Sequence, residues 1–223
     1  MEELPLYIGI MFCLTTLLAL TLFLRAAHYS KIAIVVMVCW LALQALIGLT
    51  GFYTVTNTLP PRFLLLVLPP LFMVILLFGT KKGRVFIDQL DVKVLTLLHI
   101  IRIPVEVTLL LLYIFKLIPK EMTFEGWNFD IIAGISAPLI YYFRFLRNAI
   151  NKKAMLIWNI VCLILLVNIV TIAVLSAPFS FQQFAFEQPN IAVLHFPFIW
   201  LPGFIVPIVL FSHLVAIRKL IRS

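Results

Sequence analysis

Apolar residues gather along the chain in long blocks, separated by short polar stretches. A helix rises 1.5 Å per residue, so about 20 apolar residues cross the ~30 Å hydrocarbon layer of a bilayer. By that measure seven blocks predict transmembrane helices, at residues 4–24, 32–53, 63–78, 94–115, 129–143, 154–175 and 191–217. The predicted fold class is all-α: a polytopic membrane helical bundle, one domain over residues 1–223. The third block is short, with Pro69 and Pro70 in its middle, and the fifth is short and interrupted by Gly134 and Pro138. An amphipathic lead-in from Val85 precedes the fourth block. The seventh is long and bears Pro197, Pro202 and Pro207.

Composition sharpens this picture. The chain is 64% hydrophobic and 12% charged, with mean hydropathy +1.15. A soluble domain is about half apolar and roughly a quarter charged, because its surface must satisfy water. The net charge of +8 points to topology rather than to nucleic acid, since the basic residues sit in short runs between apolar blocks. Arg25 and Lys31 follow the first block, Lys81, Lys82 and Arg84 the third, Arg144, Arg147, Lys152 and Lys153 the fifth, and Arg218, Lys219 and Arg222 the seventh. The opposite loops hold Arg62, Lys116 and Lys120 against Glu121, Glu125, Asp130 and Glu187. Positive charge marks the cytoplasmic side. The predicted N-terminus is therefore outside and the C-terminus cytoplasmic. The first block follows the acidic Glu2 and Glu3 and ends at Arg25, which reads as a retained helix rather than a cleaved signal.

The chain partly echoes itself. Phe23-Leu24-Arg25-Ala26-Ala27 resembles Phe145-Leu146-Arg147-Asn148-Ala149, Val38-Cys39 resembles Val161-Cys162, and Leu68-Pro69-Pro70 resembles Leu201-Pro202-Gly203. The same order in both halves suggests a 3+1+3 parallel repeat, an architecture used by some transporters. Cys13, Cys39 and Cys162 all lie in apolar blocks without spaced partners, so neither disulfides nor a zinc site is expected.

Three stretches, RIPVE at 102–106, TFEGWNFD at 123–130 and QQFAFEQPNIAV at 182–193, resemble those of an uncharacterised family of bacterial multi-pass inner-membrane proteins. The resemblance implies a bacterial inner-membrane location. It implies no activity and no site roles.

The fourth block holds the most informative polar residues. His99, Arg102 and Glu106 are spaced three and four apart and so share one helical face. Arg102 falls about 12 Å past the cytoplasmic end at 1.5 Å per residue, and Glu106 near mid-membrane. A charge at that depth costs about 2.5–3.5 kcal/mol and normally faces the bundle interior. The functional reading is a proton relay, a substrate clamp or an ion-pair gate. The plainer one is that Arg102 and Glu106 neutralise each other within one helix. Asn159 and Asn168 in the sixth block, with Gln44 in the second, are amides in hydrocarbon; they either hydrogen-bond between helices or line a polar path. Asn168 is deep enough to face Glu106. Glu125, Asn128 and Asp130 are candidates for a carboxylate-lined outer mouth, with Asn128 or Asp130 also able to cap the fifth helix and Trp127 an interfacial anchor.

His99 and His213 fall at similar depth on different helices. Together they could ligate haem b or copper, although no spacing demands a metal site. The seventh block contains no lysine for a retinal Schiff base. There is no phosphate-binding Gly-rich loop and no Ser-His-Asp arrangement, which weighs against an enzyme. The leading expectation is a small carrier or channel for a polar solute or ion, embedded in the lipid bilayer. A membrane-embedded haem or metal redox protein and a non-catalytic subunit of an envelope complex are the alternatives. The sequence specifies neither the substrate nor the coupling ion, the direction of transport or the oligomeric state.

The topology is testable. In a background free of native cysteine, cysteines placed at Asn57 and Gln183 should react with an impermeant maleimide in intact spheroplasts, and one at Lys82 should not. Reversed labelling overturns the orientation.

Overall fold

The computed structural model describes residues 4–222, so Glu2 and Glu3 lie outside the described residues. Among those residues every regular element is helical. The α-helices are α1 (Leu6–Ala26), α2 (Lys31–Leu49), α3 (Leu64–Gly79), α4 (Lys81–Gln89), α5 (Val92–Leu98), α6 (Arg102–Ile114), α7 (Ile131–Tyr141), α8 (Lys152–Leu175) and α9 (Val206–Arg222). Five segments are long and apolar enough to cross a bilayer: α1, α2, α5–α6 (Val92–Ile114), α8, and Leu201–Arg222. The pair α3 and α4, bent by 93°, makes a sixth by length and composition.

Polar side chains set several helix starts. The Thr80 hydroxyl accepts from Gly83 N (3.1 Å), the Asp91 carboxylate from Lys93 N (2.7 Å) and the Asn151 carbonyl from Ala154 N (2.8 Å). Each satisfies an N–H that the first helical turn leaves without a partner. Prolines set the irregularities. Pro104 lacks an N–H and its ring crowds the carbonyl of Ile100. The backbone answers with a 3-10 turn over His99–Ile101 that joins α5 to α6. Pro207 leaves the Gly203 carbonyl without its helical donor. The Trp40 indole supplies one instead, at 2.8 Å.

Two segments form the centre. In their most apolar stretches Val92–Ile114 is 56% buried and Leu201–Arg222 is 61% buried, against 17% for α2. α5 packs on α1, α7 and α9, and α8 lies along α9. Leu95, Leu98, Ile101 and Leu112 are fully enclosed, and the Phe211 ring lies between those of Phe23 and Phe78, 5.9 Å from each. α2 is attached near its middle by two indoles, Trp40 to Gly203 O and Trp200 to Leu41 O (3.1 Å), and further along by Gln44, which accepts from the Tyr53 hydroxyl.

Three expectations change. The helix of the seventh block begins at Leu201, with a π-turn over Leu201–Ile205, and runs to Arg222. Residues 191–200 are a 3-10 turn and loop because Pro197 and Pro202 interrupt the backbone ladder. The lead-in from Val85 is part of the separate helix α4, which ends before the Asp91 cap. The proposed repeat pairs Leu68-Pro69-Pro70, inside α3, with Leu201-Pro202-Gly203, inside a π-turn, so these matching residues adopt different backbones.

The short fifth block has a structural cause. A Cβ on Gly134 would lie 2.9 Å from Ile103 Cγ1 and 3.0 Å from Ile103 N. α7 therefore starts beside the first turn of α6, at the middle of the Val92–Ile114 segment, and continues through a π-turn to Leu146. The rest of α6, from Glu106 to Ile114, extends about 12 Å further. Its neighbours there include residues 115–130, which bury Leu117, Ile118, Met122 and Thr123. Gly134→Val should accordingly push α7 off α6 and destabilise the protein by about 1–3 kcal/mol or more, since the clash includes backbone. The measurement is the surviving monodisperse fraction on size exclusion after heating in detergent. An unchanged profile would refute the close approach.

Candidate functional site

The mid-chain contact between α6 and α7 brings a set of polar residues together inside an otherwise apolar bundle. Arg102 is 2% exposed and Glu106 is 1% exposed, on the first two turns of α6. Asn128 and Asp130, just before α7, are 0% and 5% exposed. Asn159 comes from α8 and His213 from α9, both fully enclosed.

The hydrogen bonds are specific. Arg102 Nη1 donates to Asp130 Oδ1 at 2.5 Å and lies 3.4 Å from the Cys162 carbonyl. Arg102 Nη2 stands 2.9 Å from His213 Nε2. A guanidinium has only donors, so His213 Nε2 is the acceptor. His213 Nδ1 then carries the hydrogen and donates to Asn159 Oδ1 at 3.0 Å. Asn159 is held for this by its own amide, which donates to Met155 O at 2.9 Å. Glu106 belongs to a second branch. Asn128 Nδ2 lies 2.7 Å from both carboxyl oxygens and 3.0 Å from Met122 O. Asn128 Oδ1 accepts from Asp130 N at 3.0 Å, which links the branches.

His99 closes one side. Its ring stacks on that of His213 with centroids 3.9 Å apart and planes 11° apart, and Trp158 sits against both, at 5.7 and 6.0 Å. Trp158 in turn donates to Ser136 Oγ at 2.9 Å. Among the described residues, two buried nitrogens of this cluster lack hydrogen-bond partners, His99 Nδ1 and Arg102 Nε.

Several sequence expectations are corrected by this geometry. The partner of Arg102 is Asp130, not Glu106, because residue 130 is carried inward with the start of α7. Asn128 and Asp130 do not line an outer mouth; they are buried in the cluster, and of the three mouth candidates only Glu125 is exposed. Asn168 is exposed and donates to Trp127 O at 2.8 Å, so it does not face Glu106. The prospective pair of axial ligands, His99 and His213, does not fit an iron or copper ion between them. Stacked imidazoles point their nitrogens side by side, and the His213 Nε2 lone pair is already used by Arg102. Among the described residues no group of three or more His, Cys, Asp or Glu could hold a metal ion.

Other expectations agree with the placement. His99 and His213 do meet at one level, and His99, Arg102, Glu106 and Asn159 all belong to the buried set. Two of the sequence stretches noted above supply it: RIPVE gives Arg102 and Glu106, and TFEGWNFD gives Asn128 and Asp130. The third stretch closes the end of the bundle. Gln188 donates to Ile118 O (2.6 Å) and Asn190 to Ala173 O (3.0 Å). Sequence spacing does not point to Trp158 or Ser136. The only signal in the sequence is the adjacency of Trp158 to Asn159.

A mutant cycle tests the pairing. Arg102→Met or Asp130→Leu alone should cost about 3–5 kcal/mol, because each strands a buried charge, and the double change should recover most of it. Arg102→Met with Glu106→Leu should not recover. Folded yield and heat resistance on size exclusion report both. Equal rescue by Glu106→Leu would refute Asp130 as the partner.

A family model described as a domain of unknown function (DUF8737) matches residues 60–221, a stretch that holds every residue of the cluster. No curated protein and no solved structure matches the chain. The chain belongs to the DUF8737 family.

Proposed function

We propose that the chain is a small carrier or channel for a polar solute or ion in the bacterial inner membrane, and that the Arg102–Glu106 cluster is its ion- or proton-exchanging centre. The observation that carries this reading is a count of charges. One guanidinium, Arg102, stands against two carboxyl groups in one hydrogen-bonded set buried among apolar helices: Asp130, which it bonds, and Glu106, which is held by Asn128 instead. Ionised acids and neutral histidines leave the set one positive charge short, and a proton or a small cation restores balance. A centre that is neutral only when loaded favours the loaded state in a low-dielectric interior, which is the property that coupled transport uses. His99 Nδ1 and Arg102 Nε offer two free contacts for a polar occupant.

The shape of α7 adds support. Transporters often build their sites where a helix starts part-way through the bundle, with its positive N-terminal end facing the site. α7 starts this way beside Arg102. We take the chain to cross seven times: by the five long segments, by α3 with α4 bent off its end at 93°, and by α7 with residues 115–130 completing its crossing. The alternating basic runs put the N-terminus outside and the C-terminus in the cytoplasm. The redox reading loses its support with the ligand geometry of His213.

Reconstitution tests the proposal. Sealed liposomes carrying the protein should show flux of protons, monovalent cations or a polar solute, and Glu106→Gln should keep the fold and abolish that flux. Wild-type vesicles tight to the whole panel would overturn the carrier reading, as would a folded Glu106→Gln variant with undiminished flux.

A further inference from the structure

We propose that the groove between α2, α3 and the Leu201–Arg222 segment is a binding site for one phospholipid with an anionic headgroup, taken from the bilayer, with Lys82 at the headgroup. The inference rests on the membrane placement proposed above and not on the carrier activity.

The groove exists because α2 is held at few points. Its buried residues are Leu41, Gln44 and Gly48 alone, and its ties run to the turn around Trp200 and Gly203. Towards its N-terminal end no side chain fills the space to α3. What remains is an open cleft of about 790 Å³, within the range of about 300–1,000 Å³ found for small-molecule sites. Its walls include Ala33, Met37, Trp40, Met73, Leu77 and Phe204. A close-packed interior does not leave such a volume empty, and an apolar chain is what fits it.

The polar atoms of the cleft are concentrated at one end, and this selects the occupant. Ser30, Thr80 and Lys82 line that end. Lys82 is exposed, and among the described residues no carboxylate pairs with it; the ion pairs there are Arg102–Asp130 and Arg218–Asp88. Arg84 is engaged with the Phe78 and Gly79 carbonyls at the end of α3, which leaves Lys82 as the ammonium facing the cleft. The 93° bend between α3 and α4 places this end beside a short amphipathic helix that buries Gly83 and Ile87 and exposes Lys81 and Lys82. A basic amphipathic helix at right angles to its neighbour lies at headgroup level in a membrane. A long apolar slot that opens sideways and ends on an unpaired cation matches a tail with a phosphate-bearing head.

Native mass spectrometry of the full-length protein tests this, with phosphatidylglycerol and phosphatidylcholine of the same chains offered in turn. One phosphatidylglycerol should bind per chain, with about fivefold preference, the gain expected from one basic residue near a surface charge. Lys82→Gln should erase the preference while leaving tail binding. Ala33→Trp, or Met73→Trp if the first variant does not fold, should block both lipids. Equal binding of the two lipids, a preference unmoved by Lys82→Gln, or binding unmoved by both tryptophan variants overturns the proposal. So does a dimer cross-linked through Cys39, a cleft residue, because a second copy would then occupy the groove. Recovery of the chain outside the membrane fraction would instead overturn the placement on which the proposal stands.

Discussion

Arg102 lies inside an apolar bundle, and a guanidinium has five N–H donors and no acceptor. Such a group cannot be left alone there, because an unpaired buried charge costs several kcal/mol. Asp130 answers it at 2.5 Å and His213 at 2.9 Å. Meeting that demand determines much of the surrounding architecture. Asp130 immediately precedes α7, so α7 must begin beside Arg102 rather than at the end of the bundle. Gly134, one turn on, allows the two backbones to close at that point. The chain that leaves α6 must then fold back along it, and Leu117, Ile118, Met122 and Thr123 become interior residues.

The same contact explains why the second acid, Glu106, has an amide for a partner. It sits one turn beyond Arg102 on α6, where the returning chain presents Asn128 rather than a base. Asn128 serves the Glu106 carboxyl, the Met122 carbonyl and the Asp130 backbone with one side chain, so the two branches share a single rigid corner. The histidine branch is anchored separately, through Asn159 and Met155 on α8. A shift of α8 or α9 therefore acts on Arg102, whereas a shift of residues 120–130 acts on both acids.

Away from the cluster the bundle is uneven. The central segments are more than half buried, while α2 hangs on two indole-to-carbonyl bonds, one of them to the Gly203 carbonyl, which is free because Pro207 has no N–H. Removing backbone bonds with proline thus does two jobs in this chain. It loosens the helix locally, and at Gly203 it frees a carbonyl to which α2 is attached through Trp40. The cleft beside α2 is the consequence of that sparse attachment.

The sequence by itself determined the helical class, the positions of most long segments and the face shared by His99, Arg102 and Glu106. Each follows from local rules: block length, helical period and the cost of a charge among apolar residues. The helix cap expected from the sequence, Asn128 or Asp130 at the start of the fifth helix, is not made, because Asp130 turns to Arg102 and the Asn128 amide to Glu106. Which acid pairs with Arg102 was not legible. Glu106, four residues away, is the partner that helical spacing offers; Asp130, twenty-eight residues on, becomes available only when a loop folds back into the core. For the same reason Asn128 and Asp130 read as a polar outer loop, and Asn168 read as interior although its helix turns it outward. Local periodicity shows which residues share a face. Only the packing of α6 against α7, α8 and α9 decides what that face meets, because those contacts join residues that no sequence spacing relates.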